Sequence, residues 1–229
     1  MFILRNRLLL SSFIIPAIAL SPLTQASSTT EHSGEGTFYS YGGGGNCSFP
    51  TDDSILTTAI NATDYNGSQA CGGMILVTST ATGKSVKVRV DDQCPECSKG
   101  DLDLDQTAFA KIDDTSKGNI PITWHYIANN NAGDIKLYFK EGSSQWWTAV
   151  QVRDSRYRIT KLEYRQSNTT TYTTLPRTTY NYFLASSGFG TGPYDFRITD
   201  SKGQSIEVYN IPLTVTTEID TGKQLPKSS

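Results

Sequence analysis

The chain is organised around residues 91–105, which read DDQCPECSKGDLDLD. This stretch holds six carboxylates and one lysine around a Cys-x-x-Cys turn. The residues before it, 84–90, read KSVKVRV and alternate polar side chains with valine, which is typical of a half-buried strand. The acidic residues therefore follow a strand, where binding and catalytic residues are often found. Because crowded like charges raise the pKa of at least one carboxyl group, we expect a protonated acid here near neutral pH.

Asp103 is the strongest candidate for a functional acid in this stretch. It lies between Leu102 and Leu104. In an extended segment both leucines would point into the core, so Asp103 would be held rigidly on the opposite side. Asp105 differs, because it precedes a short helix-like stretch at residues 106–112 and is therefore expected to be an N-cap.

The N-terminal residues predict export. Residues 1–26 combine Arg5 and Arg7 with an apolar run over residues 8–20 and a small-residue cleavage pattern that ends at Ala26. The apolar run is too short to span a bilayer as a helix, so we expect no membrane partner and a secreted, extracellular or wall-associated protein. Four cysteines in an oxidising compartment predict two disulfides.

Composition argues against several classes of function. A net charge of -2 does not favour nucleic acid as a partner. Four cysteines and two histidines, without a second Cys-x-x-Cys or a His-x-x-His, do not favour a metal site, and we expect no cofactor. His125 is interpreted as a strand residue within 120–127 rather than as a ligand or base. The ~200 residues after the export segment fit two small domains better than one.

Residues 34–128 predict a small β-barrel, because short strands alternate with turn signals and helix is scarce. Its first strand includes residues 36–41 and is followed by four glycines at 42–45. We expect these glycines to let the backbone lie close to a ligand or to another strand. Residues 120–127 would be the closing strand, and residues 131–133 the linker.

Residues 132–215 predict a β-sandwich, since alternating strands are separated by turns of Gly, Asn, Ser and Asp. Trp146 and Trp147 are adjacent, so in a regular strand they cannot both be core. Either one is exposed or a bend after residues 142–144 exposes both. Exposed aromatic area indicates a binding surface. The Thr-rich residues 216–229 are expected to be a frayed tail.

Several motifs in the first half occur together in a recognisable order. They are Gly36-Thr37-Phe38-Tyr39, Asn46-Cys47 with Ala70-Cys71-Gly72, Asp92-Gln93-Cys94-Pro95-Glu96-Cys97, Leu102-Asp103-Leu104 and Ala108-Phe109. In this order they resemble the double-psi β-barrel of expansins. Residues 140–147, KEGSSQWW, followed by 149–153, AVQVR, resemble the second domain of microbial two-domain expansins. The resemblance covers residues 34–213 and implies an all-β fold, a six-stranded double-psi β-barrel followed by an immunoglobulin-like β-sandwich.

The resemblance also implies a function. It implies a protein that binds cellulose and related cell-wall glycans and loosens their non-covalent contacts without hydrolysis. Xylan and peptidoglycan are further candidate glycans, and a monomer is expected. The residues implied for the activity are Thr37, Asp92 and Asp103, with Asp103 as the essential acid. The residues implied for polysaccharide binding are Trp146, Trp147, Tyr180 and Lys140.

The cysteines carry two expectations and one departure from the family. The Cys-x-x-Cys turn predicts a disulfide between Cys94 and Cys97, and the resemblance pairs Cys47 with Cys71. Several bacterial members have a tyrosine at the position of Cys94. A stacking contact to sugar from that position is therefore not expected here.

Two other classes of protein remain open. A glycosidase that resembles the inverting endoglucanases sharing this barrel would need an acid and a base about 6.5 to 9.5 Å apart, and Asp92 is the candidate base for Asp103. A lytic transglycosylase would need only the acid. A barwin-like inhibitor or defence protein would use the barrel alone, and the second domain argues against it. Four glycosylation sequons begin at Asn46, Asn61, Asn66 and Asn168.

Overall fold

A computed structural model describes residues 30–228, which form two β domains in sequence. The all-β fold class is therefore confirmed. The predicted export segment, residues 1–26, lies outside the described residues. No helix between residues 30 and 228 is long and apolar enough to cross a membrane.

The first domain is a closed barrel of six strands, as predicted. The strands are β1 (His32–Tyr39), β2 (Thr57–Asn61), β3 (Met74–Ser79), β4 (Ser85–Cys94), β5 (Leu102–Asp105) and β6 (Ile120–Ile127), in the order β1-β5-β2-β4-β3-β6. The pairs β1–β5 and β2–β4 are parallel, and the other pairs are antiparallel. Parallel β1 and β5 bring the start of the domain beside the acidic stretch, which positions the candidate site.

Two short helices and one turn of 3-10 helix complete the barrel. They are α1 (Ala62–Tyr65), α2 (Gln106–Ile112) and the 3-10 turn at Thr115–Lys117. The side chain of Asp105 accepts a hydrogen bond of 2.8 Å from the backbone N–H of Ala108, so its predicted N-cap role is confirmed. Phe109 on α2 is fully buried in the barrel core, together with Leu104 and Trp124.

The second domain is a sandwich of two four-stranded sheets. Its strands are β7 (Lys136–Phe139), β8 (Thr148–Arg153), β9 (Ile159–Gln166), β10 (Thr173–Thr174), β11 (Phe183–Ala185), β12 (Tyr194–Asp200), β13 (Ser205–Ile211) and β14 (Glu218–Asp220). One sheet has the order β10-β9-β12-β13 and the other β11-β8-β7-β14. Alternate residues of β7 and β8, among them Leu137, Phe139 and Val150, face the shared core.

The sandwich extends further along the chain than the sequence indicated, so the prediction of a frayed tail from residue 216 is wrong. Strand β14 pairs antiparallel with β7, with Ile219 opposite Leu137. Leu225 is buried in the same core. The Thr-rich composition concealed a strand, because a single inward Ile is enough to attach three residues to an open sheet edge.

Both predicted disulfides are present. Cys47 is bonded to Cys71, and Cys94 is bonded to Cys97 at the end of β4. The first bond ties the segment after the glycine run to the segment before β3. Gly45, at the end of the glycine run, packs directly on the backbone and side chain of residues 91 and 92, where a Cβ would lie 2.5 Å from the Asp91 carbonyl. The glycine run therefore lets two backbone segments touch.

The two domains meet through a loop, residues 178–181, that precedes β11. Ser68 Oγ donates to the Thr178 carbonyl at 2.7 Å, and Tyr65 Oη donates to the Thr179 carbonyl at 2.7 Å. In return, Asn181 Nδ2 donates to the Cys47 carbonyl at 3.1 Å. These contacts fix the position of the loop against the barrel.

The asparagines of two of the four sequons already form hydrogen bonds within the protein. Asn61 is fully buried, caps α1 and donates through Nδ2 to Asp64 at 2.7 Å, so its amide has no room for a glycan. Asn46 Nδ2 donates to Tyr65 Oη and to the Thr179 carbonyl across the domain interface. Asn66 and Asn168 are exposed and carry the accessible sequons.

We predict unequal contributions from the two disulfides to stability. Replacing Cys47 and Cys71 with Ala opens a loop of 24-residue separation and should lower the free energy of unfolding by about 3.5 kcal/mol. Replacing Cys94 and Cys97 opens a separation of 3 residues and should cost about 2 kcal/mol. Urea unfolding followed by tryptophan fluorescence measures both. Equal losses, or a larger loss from the short loop, would contradict the loop-length argument.

Candidate functional site

The parallel pairing of β1 with β5 places Thr37 directly opposite Asp103. Thr37 Oγ1 donates a hydrogen bond of 2.6 Å to Asp103 Oδ1. Leu102 and Leu104 are fully buried on the core side of β5, as predicted, while Asp103 is only partly buried on the other side. Thr37 and Asp103, two of the three residues predicted for the activity, are thus in direct contact.

Asp103 has the elevated proton affinity that the sequence predicted, but its cause is different. Burial raises the pKa of the Asp103 carboxyl above its usual value, the carboxylate of Glu96 raises it further, and the Thr37 hydrogen bond opposes both. Of the other acids in residues 91–105, Glu96 is the one whose charge raises this pKa. Glu96 is exposed in the turn closed by the Cys94–Cys97 disulfide.

Asp92 holds a backbone turn in place. Its Oδ1 accepts hydrogen bonds from the backbone N–H of Asn46 at 2.7 Å and of Gln93 at 2.8 Å. It thereby fixes the segment after the glycine run against the end of β4. One oxygen of this carboxylate is therefore committed to the scaffold.

The remaining aspartates of the acidic stretch also have structural partners. Asp91 is buried and forms two hydrogen bonds with the guanidinium of Arg89, at 2.5 and 2.7 Å. Asp101 accepts from the backbone N–H of Glu35 at 2.8 Å and of Ser98 at 3.0 Å. Among the aspartates of this stretch, Asp103 is the one whose carboxylate is held by a hydroxyl rather than by backbone N–H groups or a guanidinium.

Tyr39 belongs to this site and was missed as a site residue by the sequence reasoning. It lies two residues after Thr37 on β1, so both side chains project from the same face of the strand. Burial raises the pKa of Tyr39 far above its usual value, and the charges of Asp92 and Asp103 add to this. Its buried hydroxyl has no hydrogen-bond partner among residues 30–228. The sequence signal for Tyr39 was its spacing of two residues from Thr37, which places both side chains on the same face of a strand.

Cys94 is buried in its disulfide and presents no ring to this site. The departure from the family's tyrosine is therefore a real loss of aromatic surface at that position. Tyr39 and Tyr41, whose ring centroids are 5.8 Å apart, are the aromatic residues that β1 and its extension supply near the aspartates.

Three of the four residues predicted for polysaccharide binding, Trp146, Trp147 and Lys140, lie at the connection between β7 and β8. Trp146 is at the tip of the turn before β8 and is 73% exposed, which confirms that at least one of the adjacent tryptophans is outside the core. Trp147 is partly buried; the Ser144 N–H donates to its carbonyl at 2.7 Å and closes the turn. Lys140, partly exposed, follows β7 and pairs through its N–H with the carbonyl of Ala149.

Tyr180 is carried by the interdomain loop 178–181 and is partly exposed. Its ring centroid lies 5.9 Å from that of Tyr182. Ser48 Oγ of the barrel donates to the Tyr180 carbonyl at 3.0 Å, so its backbone is anchored on the first domain. We refer to Trp146, Trp147 and Tyr180 as the aromatic platform.

No group of three or more His, Cys, Asp or Glu side chains within the described part of the chain is arranged to hold a metal ion. His125 lies in β6, as interpreted from the sequence, and its Nδ1 is 2.9 Å from the Glu31 carboxylate.

Comparisons with known proteins match both domains. A family model described as "Lytic transglycolase" matches residues 57–124. Expansin-YoaJ of Bacillus subtilis is 33% identical over 199 residues, which cover 85% of this chain and 84% of that protein. The crystal structure of an apo expansin of Clavibacter michiganensis superposes with a TM-score of 0.80 at 30% identity, covering 87% of this chain and all of the other. A variant of the Clavibacter expansin in complex with cellohexaose superposes equally well, with a TM-score of 0.80 at 29% identity over the same shares of both chains.

We predict that Thr37 sets the acidity of Asp103. Thr37→Val keeps the shape of the side chain but removes the hydroxyl that stabilises the carboxylate, so the pKa of Asp103 should rise further. Carbon-13 NMR titration of the carboxyl groups measures this pKa. Thr78→Val, a matched change on β3 away from the site, should leave it unaltered. An unchanged or lowered Asp103 pKa in Thr37→Val would show that the hydrogen bond does not govern its titration.

Proposed function

This chain belongs to the expansin family, and we propose that it is a secreted protein that binds cellulose and related wall glycans and loosens their non-covalent contacts without hydrolysis. The observation that carries the proposal is the hydrogen bond of 2.6 Å between Thr37 and the partly buried carboxyl of Asp103. Secretion is supported by the signal-like residues 1–26 and by two disulfides, which persist in oxidising compartments.

The proposed loosening step uses Asp103 as a hydrogen-bond donor. Its raised pKa keeps a larger fraction of the carboxyl protonated in a mildly acidic wall. Thr37 occupies Oδ1, which leaves Oδ2 to carry the proton toward a glycan oxygen. A donor that competes for an oxygen engaged in a glycan–glycan hydrogen bond breaks that contact without any covalent change. This step needs one acid and no general base.

Binding is proposed to belong mainly to the aromatic platform. The faces of pyranose rings that carry C–H groups are apolar and stack on flat aromatic side chains, whereas the ring hydroxyls remain available to polar groups such as Lys140. The cellohexaose complex of the Clavibacter expansin supports a cellulose-type ligand. Xylan and peptidoglycan remain further candidate glycans, and a monomer remains the expected state.

The interdomain loop connects these two roles. Tyr180 of the platform and the barrel segment at Ser48 share a hydrogen bond of 3.0 Å. Ser48 follows Cys47 and Asn46, whose backbone N–H is bonded to Asp92 beside the acidic site. A glycan bound on the platform is therefore presented to the barrel at a fixed offset from Asp103.

A lytic or hydrolytic enzyme is the second candidate, and the family model that matches residues 57–124 favours it. In that role Asp103 would be a general acid. An inverting hydrolase would also need a base, and one oxygen of Asp92 already accepts two backbone hydrogen bonds. Glu96 is exposed and acts on the Asp103 charge, so it replaces Asp92 as the more accessible carboxylate to test. The inhibitor alternative would use the barrel alone, whereas the similarity to expansins covers both domains.

We predict that Asp103→Ala abolishes extension of cell-wall strips and that Asp103→Asn retains part of it with a flattened pH profile. Asn keeps a donor but cannot titrate, while Ala loses both properties. In the wild type, extension should increase as the pH falls, because only the protonated carboxyl donates. Glu96→Gln removes the negative neighbour and lowers the pKa of Asp103, so its pH profile should shift toward lower pH.

The same assays distinguish loosening from catalysis. Extension is recorded together with soluble reducing ends and anhydro sugars released from the wall. Wild-type extension without release supports the proposal. Release in proportion to extension, lost in Asp103→Ala and also in Glu96→Gln, would instead make the pair an acid and base of a hydrolase.

We predict that the triple variant Trp146→Ala, Trp147→Ala, Tyr180→Ala binds cellulose more weakly than the wild type by on the order of a hundredfold or more, since each stacked ring contributes roughly 1 to 2 kcal/mol. Depletion of protein from solution by microcrystalline cellulose measures the change. The matched control is Tyr209→Ala, which removes an aromatic side chain that is 48% exposed on β13. A folded triple variant that binds like the wild type would refute the platform.

A further inference from the structure

A groove next to Trp146 of the aromatic platform lies at the end of the sandwich. It is an open groove of about 530 Å³ between the turn that carries Trp146 and the segments that precede β12 and follow β13. We call it the end groove. Trp146, Pro193, Pro212 and Leu213 provide its apolar surface, and Gln145 and Thr191 provide polar groups. Its volume falls within the range of about 300 to 1,000 Å³ that is usual for small-ligand sites.

The end groove differs from the other cavities described for residues 30–228 because none of its lining residues is charged. None of its lining residues is ionisable at neutral pH, whereas the cavity between the domains includes Arg89, Arg153 and Glu218. A groove without charge does not compensate the desolvation of a uronate, a phosphate or an ammonium group. An apolar surface with an amide and a hydroxyl at its rim matches a neutral sugar, which has C–H faces and hydroxyl edges.

The groove is held open by its own loop. The N–H of Gly190 donates to the Gln145 carbonyl at 3.0 Å, and Phe189 is buried with its ring 4.0 Å from that of Tyr164. Gly188 has a positive φ, and a Cβ there would lie 2.1 Å from the Gln145 carbonyl oxygen. Loop and turn are therefore in close contact before any ligand arrives.

Trp146 links the end groove to the platform. It lines the groove, whereas Trp147, its neighbour, does not. Trp146 lies in the turn, and Trp147 lies at the isolated bridge with Ser144 that closes the turn before β8. We propose that the end groove is a binding subsite for a neutral β-glucan chain, and that it extends the platform past Trp146 by additional sugar units. The proposal rests on the proposed function, because the chain that enters the groove is the one bound on the platform.

The test compares ligands of two lengths and two classes of variant. Cellotriose and cellohexaose are titrated calorimetrically against the wild type, the groove variant Pro212→Ala with Leu213→Ser, the platform variant Trp147→Ala, and the control Tyr209→Ala. The groove variant should bind cellohexaose about fivefold more weakly, the loss expected for one apolar contact, and cellotriose almost normally. Trp147→Ala should weaken both, and Tyr209→Ala neither.

Leu213 packs partly against the sandwich core, so thermal unfolding first checks that the groove variant is folded. A second measurement uses the wild-type protein alone. In the wild type, the methyl signals of Leu213 should shift on addition of cellohexaose and not on addition of cellotriose. Unshifted Leu213 methyls, or unaltered cellohexaose affinity in a folded groove variant while Trp147→Ala binds weakly, overturn the end groove and leave the proposed function intact. Unaltered affinity in both variants overturns the proposed function and the end groove together.

Discussion

Three consecutive backbone carbonyls of the second domain depend on side chains of the first. The carbonyls of Thr178, Thr179 and Tyr180 accept hydrogen bonds from Ser68, Tyr65 and Ser48, respectively. A hydrogen bond of this kind contributes about 0.5 to 1.5 kcal/mol net, and displacement of this loop would lose all three. Burial raises the pKa of Tyr65 to about 12, which keeps its hydroxyl protonated as a donor at every relevant pH. These hydrogen bonds therefore fix one relative position of the two domains.

The Cys47–Cys71 disulfide supports this relative position from the barrel side. The carbonyl of Cys47 accepts hydrogen bonds from Gln151 Nε2 at 2.9 Å and from Asn181 Nδ2 at 3.1 Å. Arg153 in turn donates to Gln151 Oε1 at 2.6 Å, so the polar face of β8 is ordered up to the interface. A covalent bond in one domain thereby fixes a carbonyl that positions a sheet of the other. The ligand-binding surface of the sandwich and the acidic site of the barrel are therefore held in a fixed relative position.

Local patterns predicted a small β-barrel, a β-sandwich and the position of Asp103, and the resemblance to expansins implied the six-stranded architecture of the barrel. The Leu-Asp-Leu alternation predicted the direction of Asp103, and Asp105 before an apolar helix predicted the cap; both depend on neighbours in sequence. The features that sequence reasoning missed depend on contacts between distant segments. The crowding of acids did not indicate which of them acts on Asp103; it is Glu96, in the turn closed by the Cys94–Cys97 disulfide. Strand β14 and the interdomain loop were missed for the same reason, since an edge strand and a polar interface leave no periodic signal.

The central claim is that the contacts between the domains, and not merely the presence of both domains, couple glycan binding to wall loosening. Tyr65→Phe with Ser68→Ala removes two of the three hydroxyl donors and keeps an aromatic ring at position 65 in the barrel core. Residual dipolar couplings report whether the domains still tumble as one body, and wall extension and cellulose depletion are measured on the same samples. The account predicts that the domains gain motion relative to each other, that cellulose binding stays within about twofold of wild type, and that extension falls. Full extension by a variant whose domains have gained this motion would contradict it.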